Sequence, residues 1–217
     1  MSPPVGPTGL PYDCDGADTP SKWRAGATGG GFDTTVEFQG DRRVDVRQAS
    51  VGAVLGRQLA VRSSLTVAVS AILGGTVEST QKGDVGTGVT GSVSWTYLPL
   101  FESESRPFIA TSLTFGAATT TAESDDGASY RWSAFDLRLG VMVGKTFFNH
   151  LVPFVTGRVF GGPVMWHLGG DAVTGSDTHH YTAGAGLTFR VPGKFSLFAE
   201  ADPIGERSVS VGGNITF

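Results

Sequence analysis

Residues 64–79 read SLTVAVSAILGGTVES. In an extended chain, where successive side chains point to opposite faces, Leu65, Val67, Val69, Ala71 and Leu73 share one side, and Thr66, Ala68, Ser70, Gly74 and Thr76 occupy the other. A soluble sheet packs its apolar face on a core and turns Lys and Glu outward. Here the second face is small and weakly polar, with no long solvated side chain. That composition suits a narrow interior, and the apolar face suits lipid.

The same alternation recurs along the chain. In TGVTGSVSWTYLPL (87–100), Val89, Val93, Trp95 and Tyr97 oppose Thr90, Ser92, Ser94 and Thr96. In SYRWSAFDLRLGVMVG (129–144), Phe135, Leu137, Leu139, Val141 and Val143 oppose Asp136, Arg138 and Gly140. HYTAGAGLTFR (180–190) sets Tyr181, Ala183, Ala185, Leu187 and Phe189 against Thr182, Gly184, Gly186, Thr188 and Arg190. Ten strands follow, with cores at 23–37, 44–58, 64–78, 87–99, 107–121, 129–145, 151–165, 178–190, 195–202 and 207–217. The connections alternate in kind. Those near 59–63, 100–106, 146–150 and 191–194 are tight, apolar or aromatic, whereas QGDRR, STQKGDVG, TAESDDGA, GGDAVTGSDT and DPIGER carry charge. Segments of this length match the 9–11 residues that a tilted strand needs to cross a bilayer.

Composition excludes several alternatives. Glycine is 32 of 217 residues and only 17% are charged, unlike a long-helix protein or a disordered chain. No window approaches the 18 consecutive apolar residues of a membrane helix. A net charge of -4 and the lack of any basic run argue against a nucleic-acid partner. Cys14 stands alone, which rules out an intramolecular disulfide framework and a cysteine-rich metal site, and the sequence implies no cofactor. The opening Met-Ser-Pro-Pro has neither the basic start nor the apolar core of a signal peptide. We therefore read 1–22 as a flexible leader or partial plug on a mature chain with an added initiator Met, and 23–217 as the folded unit. Cys14 follows no lipidation signal and has no assigned role.

The fold class expected is all-β: a closed antiparallel transmembrane β-barrel of ten strands, with eight as the rival count. In lipid only a closed sheet satisfies every strand hydrogen bond. Trp95, Tyr97, Phe101, Phe108, Phe147, Phe148, Phe154, Phe195 and Phe217 near one end of the strands, and Trp23, Phe38, Tyr130, Trp132 and Tyr181 near starts or loops, fit interfacial girdles.

The final strand, SVSVGGNITF, alternates up to Phe217. In this it resembles the small bacterial outer-membrane β-barrel proteins, and the resemblance covers 23–217 as a pattern. It implies location in the outer membrane, contact with membrane lipid and lipopolysaccharide, and recognition of the terminal strand by the barrel-assembly machinery. It implies periplasmic termini and five outside loops on a monomer. The class includes structural barrels, porins, adhesins and a few lipid-modifying enzymes, so function must come from particular residues.

Charges on the inner face are the most informative of these, because a charge inside a narrow barrel must be paired or wet. Asp136, Arg138, Arg158, Arg190 and Glu200 are the candidate lumen residues. They would act as a charge filter in a passive pore for small polar solutes or ions, or as a salt-bridge plug in a closed structural or adhesive barrel. His167, Ser176, Asp177, His179 and His180 flank or lie in LGGDAVTGSDT (168–178). These residue types also occur in His-Ser-Asp hydrolases and weak metal sites, but no flanking motif supports either reading. A solvated rim loop is the simpler one, and neither a catalytic residue nor a metal is assigned. The acidic stretch with Glu123, Asp125 and Asp126 suits divalent cations bridging lipopolysaccharide phosphates, although it lacks calcium-loop spacing. The leading expectation is a narrow passive pore; a non-conducting barrel and an outer-membrane lipid hydrolase are the alternatives.

Overall fold

The computed structural model describes residues 23–38, 42–78, 82–124, 129–168, 171–191 and 195–217. The leader with Cys14, and Asp125 and Asp126 of the acidic stretch, lie outside the described residues.

The chain forms β1 (Trp23–Phe38), β2 (Arg42–Ala60), β3 (Ser63–Glu78), β4 (Lys82–Leu100), β5 (Phe108–Ser124), β6 (Ser129–Gly144), β7 (Leu151–Gly161), β8 (Val164–Leu168), β9 (Asp171–Asp177), β10 (Tyr181–Val191), β11 (Phe195–Gly205) and β12 (Arg207–Thr216). Every pairing is antiparallel. Neighbours run β1 through β7, then β10, β11 and β12. The pairing of β12 with β1, from Arg24 opposite Thr216 to Asp33 opposite Arg207, closes the barrel. It has ten strands, as the sequence pattern implies.

The other two strands extend this barrel upward. β8 continues β7 beyond Gly162 and Pro163 in the same register on β6, since Leu137 pairs with Gly161 and Ala134 with Val164. β9 returns along β8 and meets β1, with Val36 opposite Asp177 and Phe38 opposite Gly175. The stretch read from sequence as a rim loop is therefore largely strand. Because β11 and β12 turn back at Glu206, β9 takes their place beside β1 above that level. The upper section is thus a ring of β1–β6, β8 and β9, an eight-strand neck on a ten-strand barrel.

The hydrophobic pattern inverts where the neck begins, most plainly on β2. Along its outer face Arg43, Asp45 and Arg47 give way to Ala49, Val51, Ala53 and Leu55, while the buried face changes from Val44 and Val46 to Gln48 and Ser50. Below the switch the outer face is a belt of exposed Leu, Val, Ile and aromatic side chains, including Leu73, Leu113, Leu139, Val155, Leu197 and Val211, over a polar interior. Above it the outer face is wet: Arg47 meets Asp33 at 2.9 Å and Arg43 meets Glu37 at 3.4 Å, both exposed. The neck is therefore built as a soluble barrel standing on a membrane barrel. Its interior holds Val36, Phe38, Val44, Val46, Val77, Val85, Trp132 and Val164 in one buried cluster.

This arrangement changes part of the girdle reading. Phe38 and Trp132 face the neck interior, and Phe108 and Phe154 are buried lower in the barrel. Phe147, Phe148, Phe195, Phe217, Trp95 and Tyr97 are exposed on the outer side, as expected. A second correction is local. Gly74, at φ 130°, stands at a register shift between β2 and β3. Beyond it Thr76 turns outward and Val77 inward, the reverse of strict alternation, because a bulge adds one residue to one strand.

The β11–β12 turn sets the height of the ten-strand section. Gly205 has φ 80°, and a Cβ there would lie 1.9 Å from the carbonyl oxygen of Tyr181. Gly205→Ala is expected to reduce the folded fraction, since both backbone conformation and space forbid a side chain. The share of refolded protein that migrates as the compact, heat-modifiable band on unboiled gels measures it.

Candidate functional site

Five inward positions on β6, β7 and β11, together with the β11–β12 turn, build a charged wall in the middle of the lumen. Asp136 and Arg138 are successive inner residues of β6, and Arg138 Nε donates to Asp136 Oδ2 at 2.5 Å. The Arg138 Nη2 group lies 3.0 Å from Glu206 Oε1, and the guanidinium stacks 4.4 Å over the Phe160 ring. On β7, Arg158 donates through Nη1 to Asp202 Oδ2 at 3.0 Å and through Nη2 to Glu200 Oε1. Asp202 also accepts from Thr156 Oγ1 at 3.2 Å and Ser208 Oγ at 2.8 Å.

Four of the five candidate lumen residues are therefore brought together in ion pairs: Asp136 with Arg138, and Arg158 with Glu200. Arg190 sits at the lower end of β10, where its backbone N–H donates to the His150 carbonyl at 2.8 Å, and no ion pair joins it to the network among the described residues. Two members of the network escaped the sequence reading. Asp202, which ends the strand core 195–202 and opens the charged connection DPIGER, continues the inner face of Phe198 and Glu200 at a spacing of two. Glu206 is drawn inward by its turn, and its backbone carbonyl accepts from Thr182 Oγ1 at 2.9 Å. The period-two signal was present for Asp202; nothing local signals Glu206.

The opposite wall is hydroxylated. Thr66, Ser70, Thr90, Ser92, Ser94 and Thr114 are buried on β3, β4 and β5, with Thr114 Oγ1 donating to Ser94 Oγ at 2.8 Å. A cavity of about 70 Å³ lined by Ser94, Thr96, Ser112, Thr114, Thr156 and Arg158 lies between this wall and the ion pairs. Above, the lumen meets the neck core. The Phe38, Trp132 and Trp166 rings contact one another at centroid distances of 5.8, 5.6 and 5.3 Å. An eight-strand barrel is narrow enough for side chains to fill it.

The rim residues are not assembled into one site. Ser176 is exposed on β9 and opposes Glu37, whereas the adjacent Asp177 points inward and accepts from Thr34 Oγ1 at 2.5 Å. His179 and His180 are exposed; the His179 ring contacts Thr178 Oγ1 and Tyr181. His167 lies on β8 opposite Arg131. No group of three or more His, Cys, Asp or Glu suited to a metal ion occurs among the described residues.

A barrel whose outer belt is apolar over its full circumference requires a bilayer around it, and its architecture is found in bacterial outer-membrane proteins. The translocator domain of autotransporter NalP from Neisseria meningitidis is similar, with TM-score 0.53, 10% identity, and coverage of 93% of this chain and 90% of that one. The outer membrane protease OmpT from Escherichia coli aligns with TM-score 0.49 and 10% identity over 90% of this chain and 93% of its own. The transport unit of the autotransporter AIDA-I from Escherichia coli aligns at 0.47 and 8% over 93% and 91%. No family model and no curated protein matches the chain. Fold and lipid-facing belt together define a closed transmembrane β-barrel, the fold of the bacterial outer-membrane translocator domain it resembles.

Proposed function

We propose that this protein is a non-conducting outer-membrane barrel that holds a rigid, water-exposed neck above the lipid surface, in a structural or adhesive role. One observation carries the reading: the neck interior is a packed apolar core with three mutually contacting aromatic rings. Ions do not cross a dry, side-chain-filled section of that kind. The ion pairs below it suit a plug that rigidifies the wall. A passive pore, for which the hydroxyl wall and the 70 Å³ cavity are the favourable features, would require the neck core to move aside. β12 ends beside β1, and the Phe217 N–H donates to the Trp23 carbonyl at 2.9 Å; this terminal strand is the segment suited to recognition by the assembly machinery. The charged collar of Arg43, Arg47, Asp33 and Glu37 lies where lipopolysaccharide headgroups would meet it.

Single-channel recording in planar bilayers tests the proposal, on refolded protein whose gel mobility shifts on boiling. Silence is the expected result. Discrete, reproducible current steps from the unmodified protein would overturn the reading and establish the pore.

A further inference from the structure

The lipid-facing belt carries a groove whose position follows from strand register. Ser63, Tyr97, Thr111, Val141, Gly157 and Ala183 form one outward row across β3 to β7 and β10. In the row above, Trp95, Leu113, Leu139 and Val159 are each bulkier than the residue below them on the same strand. The step leaves an open groove of about 540 Å³, lined by both rows. At Gly157 a Cβ would meet no atom within 4 Å. The row also climbs, because the strands are staggered: Tyr97 lies near the lower end of β4, Gly157 in the middle of β7, and Ala183 near the upper end of β10. From Tyr97 to Ala183 it covers about 19 Å at the usual strand spacing, against roughly 15 Å of hydrocarbon in one leaflet. One acyl chain fits along it.

The lower end of this row leads to a cation. Arg62, in the β2–β3 turn, immediately precedes Ser63, and its carbonyl accepts from the Leu98 N–H at 2.8 Å. Its guanidinium stands 4.7 Å over the Phe101 ring and donates through Nη1 to the Pro99 carbonyl at 3.1 Å. These contacts fix an exposed charge beside Tyr97 at the aromatic edge of the belt, and they leave guanidinium N–H donors over for an anionic oxygen. Tyr97 stacks on Trp95 with ring centroids 6.0 Å apart. Apolar surface therefore continues from the arginine into the groove.

We propose that Arg62 and the row from Tyr97 to Gly157 hold one glycerophospholipid of the leaflet away from the neck, with its phosphate on the Arg62 guanidinium and an acyl chain in the groove. Phosphate is the lipid group that a fixed guanidinium recognises best. Lipid surrounds the belt in any case, so the ligand needs no route of entry. A lipopolysaccharide would meet the barrel at its other end, beside the charged collar of the neck. The site rests on the membrane placement of the barrel, and it does not depend on whether the barrel conducts.

The test is native mass spectrometry of the refolded full chain, released from detergent micelles doped with phosphatidylglycerol or with diacylglycerol of the same chains. One phosphatidylglycerol per barrel is expected to stay bound, and diacylglycerol to be retained several-fold less. Arg62→Gln should bring the two lipids to equal retention. Gly157→Phe, whose ring occupies the groove where the fold leaves open space, should release both. Thr111→Leu fills the near end of the same row and takes its place should Gly157→Phe not refold. Equal retention of the two lipids by the unmodified protein would overturn the proposal, as would a folded groove-filled variant that still holds phosphatidylglycerol. A dimer that Gly157→Phe splits would assign the groove to a second copy of this chain instead, and preferential retention of lipopolysaccharide would refute the choice of lipid.

Discussion

Trp132→Ala is expected to destabilise the barrel by about 3–5 kcal/mol, the usual cost of emptying a large aromatic site in a packed core. Trp132 is 2% exposed and lies at the centre of the neck, its ring against both Phe38 and Trp166. The neck is a narrow ring of hydrogen-bonded strands, so its walls cannot close over the space left behind. The hole also matters for permeation, because it opens the packed section that stands above the Asp136–Arg138 ion pair on the same strand. Denaturant unfolding of refolded protein followed by circular dichroism measures the first effect, and bilayer recording of the same variant measures the second. A loss below about 1 kcal/mol would mean that the site relaxes as surface positions do, and that the neck is not a core.

Arg138→Met is the second large effect, about 3–5 kcal/mol, because removing one partner leaves the others buried and uncompensated. Asp136 and Glu206 are 4% and 1% exposed, and both direct oxygens at this guanidinium. The signature that separates charge from packing is rescue. Arg138→Met combined with Asp136→Asn and Glu206→Gln should recover most of the loss, since neutral amides no longer require the cation. Failure of the triple variant to recover would assign the effect to the stacking of Arg138 on Phe160 rather than to charge.

The membrane part of this fold was legible in local sequence. Leu65 to Leu73 on β3 and Phe135 to Val143 on β6 alternate without interruption, and period two is a property of the strand itself, independent of what the strand pairs with. The same logic placed Asp136, Arg138, Arg158 and Glu200 inside, because each opposes an unbroken apolar face. Thr76 shows where it stops: one residue inserted at Gly74 exchanges the two faces, and a bulge leaves little trace in composition. The neck also left a signal, in Arg43, Val44, Asp45, Val46 and Arg47, where a soluble alternation precedes a membrane one. Its meaning depends on which face points inward, and that is a question of closure.

By itself, then, the sequence determined that strands form, which side of each meets lipid, and that a closed antiparallel sheet must result, because these follow from period-two hydrophobicity and from the need to satisfy backbone hydrogen bonds away from water. Only the tertiary structure decided that β9 replaces β11 and β12 beside β1, turning ten strands into eight. Only it brought Glu206 to Arg138, 68 residues away along the chain, and joined Phe38, Trp132 and Trp166 into one core. Those contacts depend on register and ring closure between distant segments. No local pattern encodes such relations, since they are settled by the joint packing of every strand around the circumference.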